Sequence, residues 1–371
     1  MKICILTTTH SPRDGRIFHR EAKTLRKRHD ITLIAPSEIS DIYSSENIKI
    51  VAVKKSRSKI FHIFTLWRIF IAALSEKPDI YHCHEPDALA IGLTLKLFLR
   101  KRVVYDIHEH WPSEIPFDIG IGQKSLLNSV LTSYLSVIEL LLARYSDKII
   151  VVSESVGERF ILQNPAIIPN YPIIDNNTYY EESTHDPNAL MCVAGQMHAF
   201  HGITECIEAM IQLLPTNPQL VLFLIGNIRE DLHEVLSRPE IKENVRICGF
   251  LPYNQLHKML IEGGVGLLVF QPYYYNIKIG LPNKLFDYML AGLPVIASNF
   301  PEIRKIVSDA RCGLLIDPTD ISAFADAIQY ITGNPSIAKE MGDNGRRAVF
   351  SRYNWSTLEN DLINVYHFNS V

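Results

Sequence analysis

Residues 276–299 read NIKIGLPNKLFDYMLAGLPVIASN, and this stretch reads as a helix that stops on a glycine and passes at once into an apolar strand. Pro282, after Gly280 and Leu281, fits a first helical position, where its missing N–H costs nothing. Leu285, Phe286, Met289 and Leu290 recur at helical spacing, Gly292 fits the stop, and Pro294–Ala297 reads as the strand. The start of such a helix presents unpaired N–H groups and partial positive charge, which suits a diphosphate. Leu281, Pro282 and Asn283 lie at that end, Lys284 adds a full charge, and Asp287, one turn on, can accept hydrogen bonds from a ribose. The plainer alternative is an amphipathic core helix with a solvated lysine and aspartate. Residue chemistry alone leaves both open.

Outward from this segment the same alternation continues in both directions. Toward the N-terminus, Lys2–Thr7, Ile31–Ala35, Ile48–Val53, Ile80–Cys83, Val103–Ile107 and Lys148–Val152 read as strands. Helical patterns separate most of them, over Arg16–Arg28, Phe61–Leu74 and Ala88–Leu99. The stretch Ile168–Pro172 and the polar run Asp175–Asn188 read as a connection, after which the pattern restarts. Its strands are Leu190–Ala194, Leu220–Ile225, Val245–Cys248, Val265–Phe270, Val295–Ala297 and Gly313–Ile316. Strands alternating with helices predict parallel sheets covered on both faces. At 371 residues the chain is too long for one ordinary core. The expected class is therefore α/β, with two Rossmann-like domains facing a central cleft, residues 1–170 and 171–353. A Trp-containing amphipathic helix at 354–371 is expected to return to the first domain. Such sheets bind ligands beyond the carboxyl ends of their strands.

Bulk properties remove several classes. A net charge of −3 gives no global reason to expect nucleic acid as a partner. The six cysteines show no close paired spacing and sit mostly in apolar runs, so buried free thiols are expected. MKICILTTTH reads as a strand and turn, not a signal peptide, which predicts a cytoplasmic protein. Ser125–Tyr145 is the most apolar long run; its interspersed serines and Glu139 suggest a buried helix. No G-x-G-x-x-G follows the first strand, which argues against a dinucleotide dehydrogenase.

The string PNKLFDYMLAGLPVIAS resembles the donor-site signature of glycosyltransferase family 4, and the resemblance extends over nearly the whole chain. THSPRDGRIFHREAKTL is similar to the family's first loop and helix, and PDIYHCHEPDAL and VVYDIHEHWP to its middle strand ends. DKIIVVSES, NVRICGFLPYNQLHKML and CGLLIDPTDISAFADAI resemble later landmarks. The resemblance implies a GT-B enzyme that transfers a sugar from a nucleotide-diphosphate sugar with retention at the anomeric carbon, the departing phosphate acting as base. It implies that Asp287 binds the donor ribose and that Lys284, with nearby amides, holds the diphosphate. Gly249 and Phe250 would border the base, while Gly195, Gly202 and Gly226 would let the backbone approach the donor. His108 would face the transferring sugar, and Asp14, Gly15 and Arg16 would form a loop over donor and acceptor. With Lys284 and Asp287, His108 makes the catalytic set.

Two departures stand out. Ile279 occupies the position of a second Glu in many members. The family's G-R-x-x-x-x-K-G pattern is here Gly195-Gln196 to His201-Gly202, so both usual diphosphate-binding cations are absent. His201, Lys284 and Lys278 are the available substitutes, and Arg16 is a further candidate to stabilise the leaving group.

His82, His84, Glu85, Asp106, His108, Glu109 and His110 crowd two strand ends, where alternate residues share a face. A zinc site is one reading; polar groups lining a cleft is the plainer one. No Asp-x-Asp motif is present, so metal-independent transfer without a cofactor is expected. Between Glu46 and Glu76 no acidic residue occurs, while Lys49, Lys54, Lys55, Arg57, Lys59 and Arg68 accompany IFHIFTLWRIFIAAL. That combination fits an anionic membrane surface met through residues 49–74, on the inner face of the plasma membrane. The alternative is that Ile60, Phe64, Trp67, Ile71 and Leu74 pack on the sheet. A surface contact fits a lipid-linked or growing saccharide acceptor in surface polysaccharide assembly. Two rival functions are a sugar-nucleotide-binding scaffold without activity and a GT-B sugar-nucleotide epimerase.

Overall fold

The computed structural model describes residues 1–56, 58, 61–122, 125–174 and 185–368, except the side chains of 117 and 118. Arg57, Lys59, Ile60 and most of the polar run 175–188 lie outside the described residues. The chain divides into two compact units, Met1–Asn170 with Trp355–Val371, and Tyr171–Asn354.

The first unit is built on strands β1 (Lys2–Leu6), β2 (Asp30–Ser37), β3 (Asp41–Ser45), β4 (Ile48–Lys54), β5 (Ile80–Cys83), β6 (Arg102–Ile107), β7 (Lys148–Val151) and β8 (Ala166–Ile167). They lie in the order β3-β4-β2-β1-β5-β6-β7-β8, parallel except for the β3–β4 hairpin. Strands β1, β5 and β6 are almost wholly buried, as a sheet covered on both faces requires, and apart from His82 and Asp106 their buried residues are apolar. The sequence pattern did not predict β3 or β8. β3 reads DIYSS on an exposed edge, and β8 is only two residues long, so neither has an apolar run to signal it.

The second unit contains β9 (Ala189–Met197), β10 (Val221–Ile228), β11 (Val245–Gly249), β12 (Val265–Leu268), β13 (Val295–Ser298) and β14 (Gly313–Ile316), all parallel, in the order β11-β10-β9-β12-β13-β14. Alternation splits its core in two. Met191, Val193, Val295 and Ala297 face the helix Asn283–Ala291, while Leu190, Cys192, Leu222 and Ile296 face the helices Ile203–Leu213 and Ile321–Gly333.

Three helical expectations need correction. The run Arg16–Arg28 is a π-helical turn over Ile17–Ala22 followed by one α-turn, Lys23–Leu25, rather than a continuous α-helix. The C-terminal segment is a short 3-10 turn, Trp355–Thr357, then the helix Glu359–Val365, docked on the first unit where Trp355 Nε1 donates to Thr24 Oγ1 at 2.8 Å. The helix Leu126–Ala143 is not buried: only Glu139 and Ala143 are, while Leu126, Leu127, Val130, Tyr134, Val137 and Leu141 are exposed.

The helix His62–Glu76 is also turned opposite to the packing alternative. It buries Thr65, Ile69 and Ala73 at i, i+4, i+8 spacing and leaves Phe64, Trp67, Ile71 and Leu74 outside. The helix Pro86–Leu99 packs between these two and exposes Leu97 and Phe98. Three neighbouring helices therefore present one apolar outer layer.

Candidate active site

In each sheet the chain leaves the first strand in one direction and resumes on its other side. In the second unit this reversal falls between β9 and β12, whose carboxyl ends make the crevice where α/β sheets take ligands. The loop after β9 and the residues after β12 are tied together there by the Gln271 N–H donating to the Phe200 carbonyl at 2.8 Å. Helix Asn283–Ala291 points its start at the same place, with Pro282 in extended conformation capping it. Lys284 puts its ammonium 4.9 Å above the Phe270 ring. Burial pushes its pKa down to about 8, against the opposing pull of Cys192 and Asp287. An ammonium held over an aromatic ring with reduced hydration is ready to gain from an incoming phosphate.

His201 stacks on Phe200 at 4.3 Å and lies 5.4 Å from Phe270. Burial and the charge of Lys284 push its pKa down to about 3, so the ring is neutral near pH 7. The expectation that His201 replaces a lost cation therefore fails. Its Nδ1 accepts from the His198 amide at 3.0 Å, which leaves Nε2 as an N–H donor. Lys278 is exposed on the preceding helix Tyr275–Ile279, and Ile279 is buried.

Asp287 is half-buried and accepts from the Tyr253 hydroxyl at 3.3 Å. Tyr253 was not singled out from the sequence, although it lies in the landmark NVRICGFLPYNQLHKML. It links the Asp287 carboxylate to the end of β11, where Gly249 has φ +68° and Phe250 is 65% exposed. The glycines divide by cause. A Cβ on Gly226 (φ +144°) would lie 1.6 Å from the Ala194 carbonyl, and one on Gly202 would lie 2.0 Å from that of Val269. Both are demanded by the fold itself. A Cβ on Gly195 or on Gly249 meets nothing within 4 Å, so at these two positions space is left for something outside the chain.

The first unit reverses direction between β1 and β5, and that crevice is filled by its own charges. Glu85 accepts from Thr7 Oγ1 at 2.5 Å, the Thr8 amide at 2.9 Å and Thr9 Oγ1 at 2.8 Å. Asp14 caps the π-turn by accepting from the Arg16 and Ile17 amides, with His10 Nδ1 at 3.5 Å. Burial would raise its pKa, but these partners hold it below the usual carboxylate range. Gly15 is exposed beside it.

Arg16 does not reach out to a phosphate. It is 4% exposed, with Nε 2.7 Å from Glu21 Oε1, one terminal nitrogen 3.1 Å from both Asp106 oxygens, and the other donating to the Ile168 carbonyl at 2.9 Å. The π-turn makes this pairing possible. In an α-helix, residues five apart point about 140° away from each other, whereas the wider turn brings Arg16 and Glu21 to one side.

Of the residues suspected of metal binding, His82, His84, Asp106 and His108 do converge, and Glu21 joins them. His82 and His84 stack at 4.5 Å, and His84 Nδ1 is 3.0 Å from His108 Nε2. Glu85 belongs to the threonine cradle, and His110 bonds Ser113 instead. Glu21, His82, His84 and Asp106 each place a ligand atom within 4.8 Å of the others. The guanidinium of Arg16 already stands in the cation's position, however. Each unit charge on an added ion about 4 Å away would be repelled by about 4 kcal/mol in a protein-like medium. The cluster reads better as a charge network under His108 than as a metal site.

The comparisons with known proteins match this arrangement. The family model "Glycosyltransferase Family 4" matches residues 15–170, and "Glycosyl transferases group 1" matches residues 177–348. An uncharacterized glycosyltransferase of Methanocaldococcus jannaschii is 24% identical, covering 99% of this chain and 98% of its own. The capsular polysaccharide biosynthesis glycosyltransferase CapM of Staphylococcus aureus is 20% identical, covering 95% of this chain and 93% of its own. The solved structure of Anabaena HepE in complex with UDP-glucose superposes with a TM-score of 0.70 at 16% identity, covering 98% of both chains. Two parallel-sheet units with these likenesses define a transferase of the GT-B fold. The chain belongs to the family 4-like glycosyltransferases and is related to enzymes of polysaccharide and glycan biosynthesis.

Proposed function

We propose that this enzyme is a retaining transferase that moves a sugar from a nucleoside-diphosphate sugar to a saccharide or lipid-linked acceptor in surface polysaccharide assembly. The observation that carries the reading is the partly dehydrated Lys284 ammonium over Phe270 at the start of helix Asn283–Ala291, together with the open Gly195 position in β9. The diphosphate sits on Lys284, the helix amides and the Nε2–H of His201, and the ribose on Asp287. The acceptor oxygen bonds to the anomeric carbon as the bond from that carbon to the phosphate oxygen breaks. The electron pair leaves with the diphosphate, which also takes the acceptor proton. Charge thus builds on the leaving group, where preorganised donors contribute about 3–4 kcal/mol each. No step draws on a divalent ion. His108 orients the sugar.

The reaction takes place at the cytoplasmic face of an anionic lipid surface. The apolar layer of helices His62–Glu76, Pro86–Leu99 and Leu126–Ala143 supports this part of the reading, with Arg68, Arg100 and Arg144 exposed around it. The membrane region is thereby broader than residues 49–74.

The test is incubation with a panel of nucleotide sugars, with and without lipid extract, followed by NMR of the product's anomeric proton. Released nucleoside diphosphate and a product of unchanged anomeric configuration are expected, with undiminished rates in a chelator. Inverted configuration would refute retention, and nucleotide binding without turnover of any donor would favour a scaffold.

A further inference from the structure

We propose that His84 and Asp106 are positioning residues that hold the Nε2–H of His108 inward, so that the ring offers Nδ1 as an acceptor to a sugar hydroxyl, and that Tyr366 completes this network through His82. The proposal rests on the role given to His108 in the transfer reaction.

Two ring nitrogens 3.0 Å apart, His84 Nδ1 and His108 Nε2, share one hydrogen when both rings are neutral. Burial lowers the pKa of both rings, and Asp106 opposes this only in part. The hydrogen therefore has two placements, and their surroundings differ. If His108 Nε2 carries it, the N–H also faces Asp106 Oδ2 at 3.5 Å. His84 then keeps its own proton on Nε2, which faces Glu21 Oε2 at 3.6 Å. Each N–H is turned toward a carboxylate. In the opposite placement, a bare His84 Nε2 lone pair faces a carboxylate oxygen in a fully buried space.

The second histidine follows the same direction. The Tyr366 hydroxyl lies 2.5 Å from His82 Nδ1 and donates to it. His82 Nε2–H then faces Asp106 Oδ2 at 3.6 Å and Glu21 Oε2 at 3.8 Å. Arg16 closes the network, its Nε 2.7 Å from Glu21 Oε1. Burial, with Asp106 nearby, pushes the Glu21 pKa well above its ordinary value, and the guanidinium opposes this only in part. The 2.7 Å contact with Arg16 Nε favours the carboxylate form, which turns a negative charge toward the His82 and His84 Nε2 atoms at 3.8 and 3.6 Å. Tyr366 comes from the C-terminal segment, so that segment reaches the candidate catalytic histidine through two intervening rings, His82 and His84.

Glu21 is thus a remote control of which nitrogen His108 exposes. Glu21→Gln can place an amide N–H against His84 Nε2, reversing the His84–His108 hydrogen bond and leaving His108 with Nδ1–H outward.

The experiment is long-range ¹H–¹⁵N NMR of histidine-labelled full-length protein, with His108 assigned from the His108→Gln spectrum, beside donor kinetics. Wild type should show the Nε2–H tautomer at His108, and Glu21→Gln should shift it toward Nδ1–H. His84→Leu and Asp106→Asn should lower kcat by ~10–100-fold with KM changed far less, as outer groups that orient an active residue do. His84→Gln, whose carbonyl accepts from His108, should recover most of that loss. Thermal melting controls for folding; should Asp106→Asn not fold, the His84→Leu and His84→Gln pair decides. An Nδ1–H tautomer in wild type, equal kcat in both His84 variants, or stoichiometric zinc bound by the cluster overturns the proposal. Absence of turnover in wild type defeats the transferase reading instead, while the tautomer spectra still decide this one.

Discussion

The two sheets reverse direction in the same way, yet the crevices at their reversal points are finished oppositely. Between β1 and β5 the chain supplies both signs of charge: Arg16 is buried against Glu21 and Asp106, with three histidines around them. Between β9 and β12 it supplies a lysine over an aromatic ring, a neutral histidine and the open space at Gly195. A site that satisfies its own charges is rigid before substrate arrives. A site with a poorly hydrated cation and open space gains its missing interactions from a ligand. On the proposed function, preorganisation lies in the first unit and ligand-dependent stabilisation in the second.

The largest effect that follows from this contrast concerns stability. Asp106→Ala removes one carboxylate from a fully buried ion cluster and leaves Arg16 undercompensated, at a cost of about 3–5 kcal/mol. Asp287→Ala, at a half-buried carboxylate, should leave the denaturant midpoint nearly unchanged. Urea unfolding of the two variants side by side tests this, and equal losses would dissolve the distinction between the two sites.

The same Asp287→Ala variant should instead lose donor binding. A charged hydrogen bond contributes about 1.5–3 kcal/mol, so losing one or both to the ribose weakens affinity by roughly 10- to 10⁴-fold. Calorimetry with the productive donor measures it; unchanged affinity would remove Asp287 from the site.

The pH behaviour of Lys284 gives a third test with two opposite signs. Its folded pKa is about 8 against an ordinary 10.5. Between those values the unfolded chain holds more protons than the folded one, so the lysine makes stability rise with pH. Nucleotide affinity should fall over the same rise, because the ammonium is lost, by roughly tenfold for a charged hydrogen bond. Lys284→Gln should flatten both curves between pH 7 and 10. Affinity that rises with pH would contradict a phosphate on Lys284.

Strands were legible from sequence because buried parallel strands are continuous apolar runs, and the site helix because its punctuation, Pro282 and Gly292, is local. What escaped depends on partners far along the chain or on backbone geometry. Tyr366 meets His82 from 284 residues away, and Glu21 joins Arg16 only through a π-turn that its spacing does not announce. Placing His82 and His84 on one face was possible from alternation, but not what filled the space beside them. The protonation of His201 could not be read at all, since it follows from burial and from Lys284 nearby.

Apolar composition failed for a related reason. Helices Leu126–Ala143 and Asn283–Ala291 are both apolar, yet the first buries only Glu139 and Ala143 and the second buries Leu285, Phe286, Tyr288, Met289, Leu290 and Ala291. The second lies between a sheet and the helix Pro335–Ser351, whereas the first packs on the helices Trp111–Asp118 and Pro86–Leu99. The smallest expected effect follows. Leu127→Ser with Val130→Ser exchanges solvent-exposed side chains, so each change should alter stability by no more than about 0.5 kcal/mol. Phe286→Ala should cost about 3–5 kcal/mol. If the outer face of Leu126–Ala143 meets lipid, the double variant should sediment several-fold less with anionic vesicles at unchanged donor affinity. Full vesicle binding by the double variant would assign the attachment to the aromatic face of His62–Glu76 alone, where Trp67→Ser is the next substitution to measure.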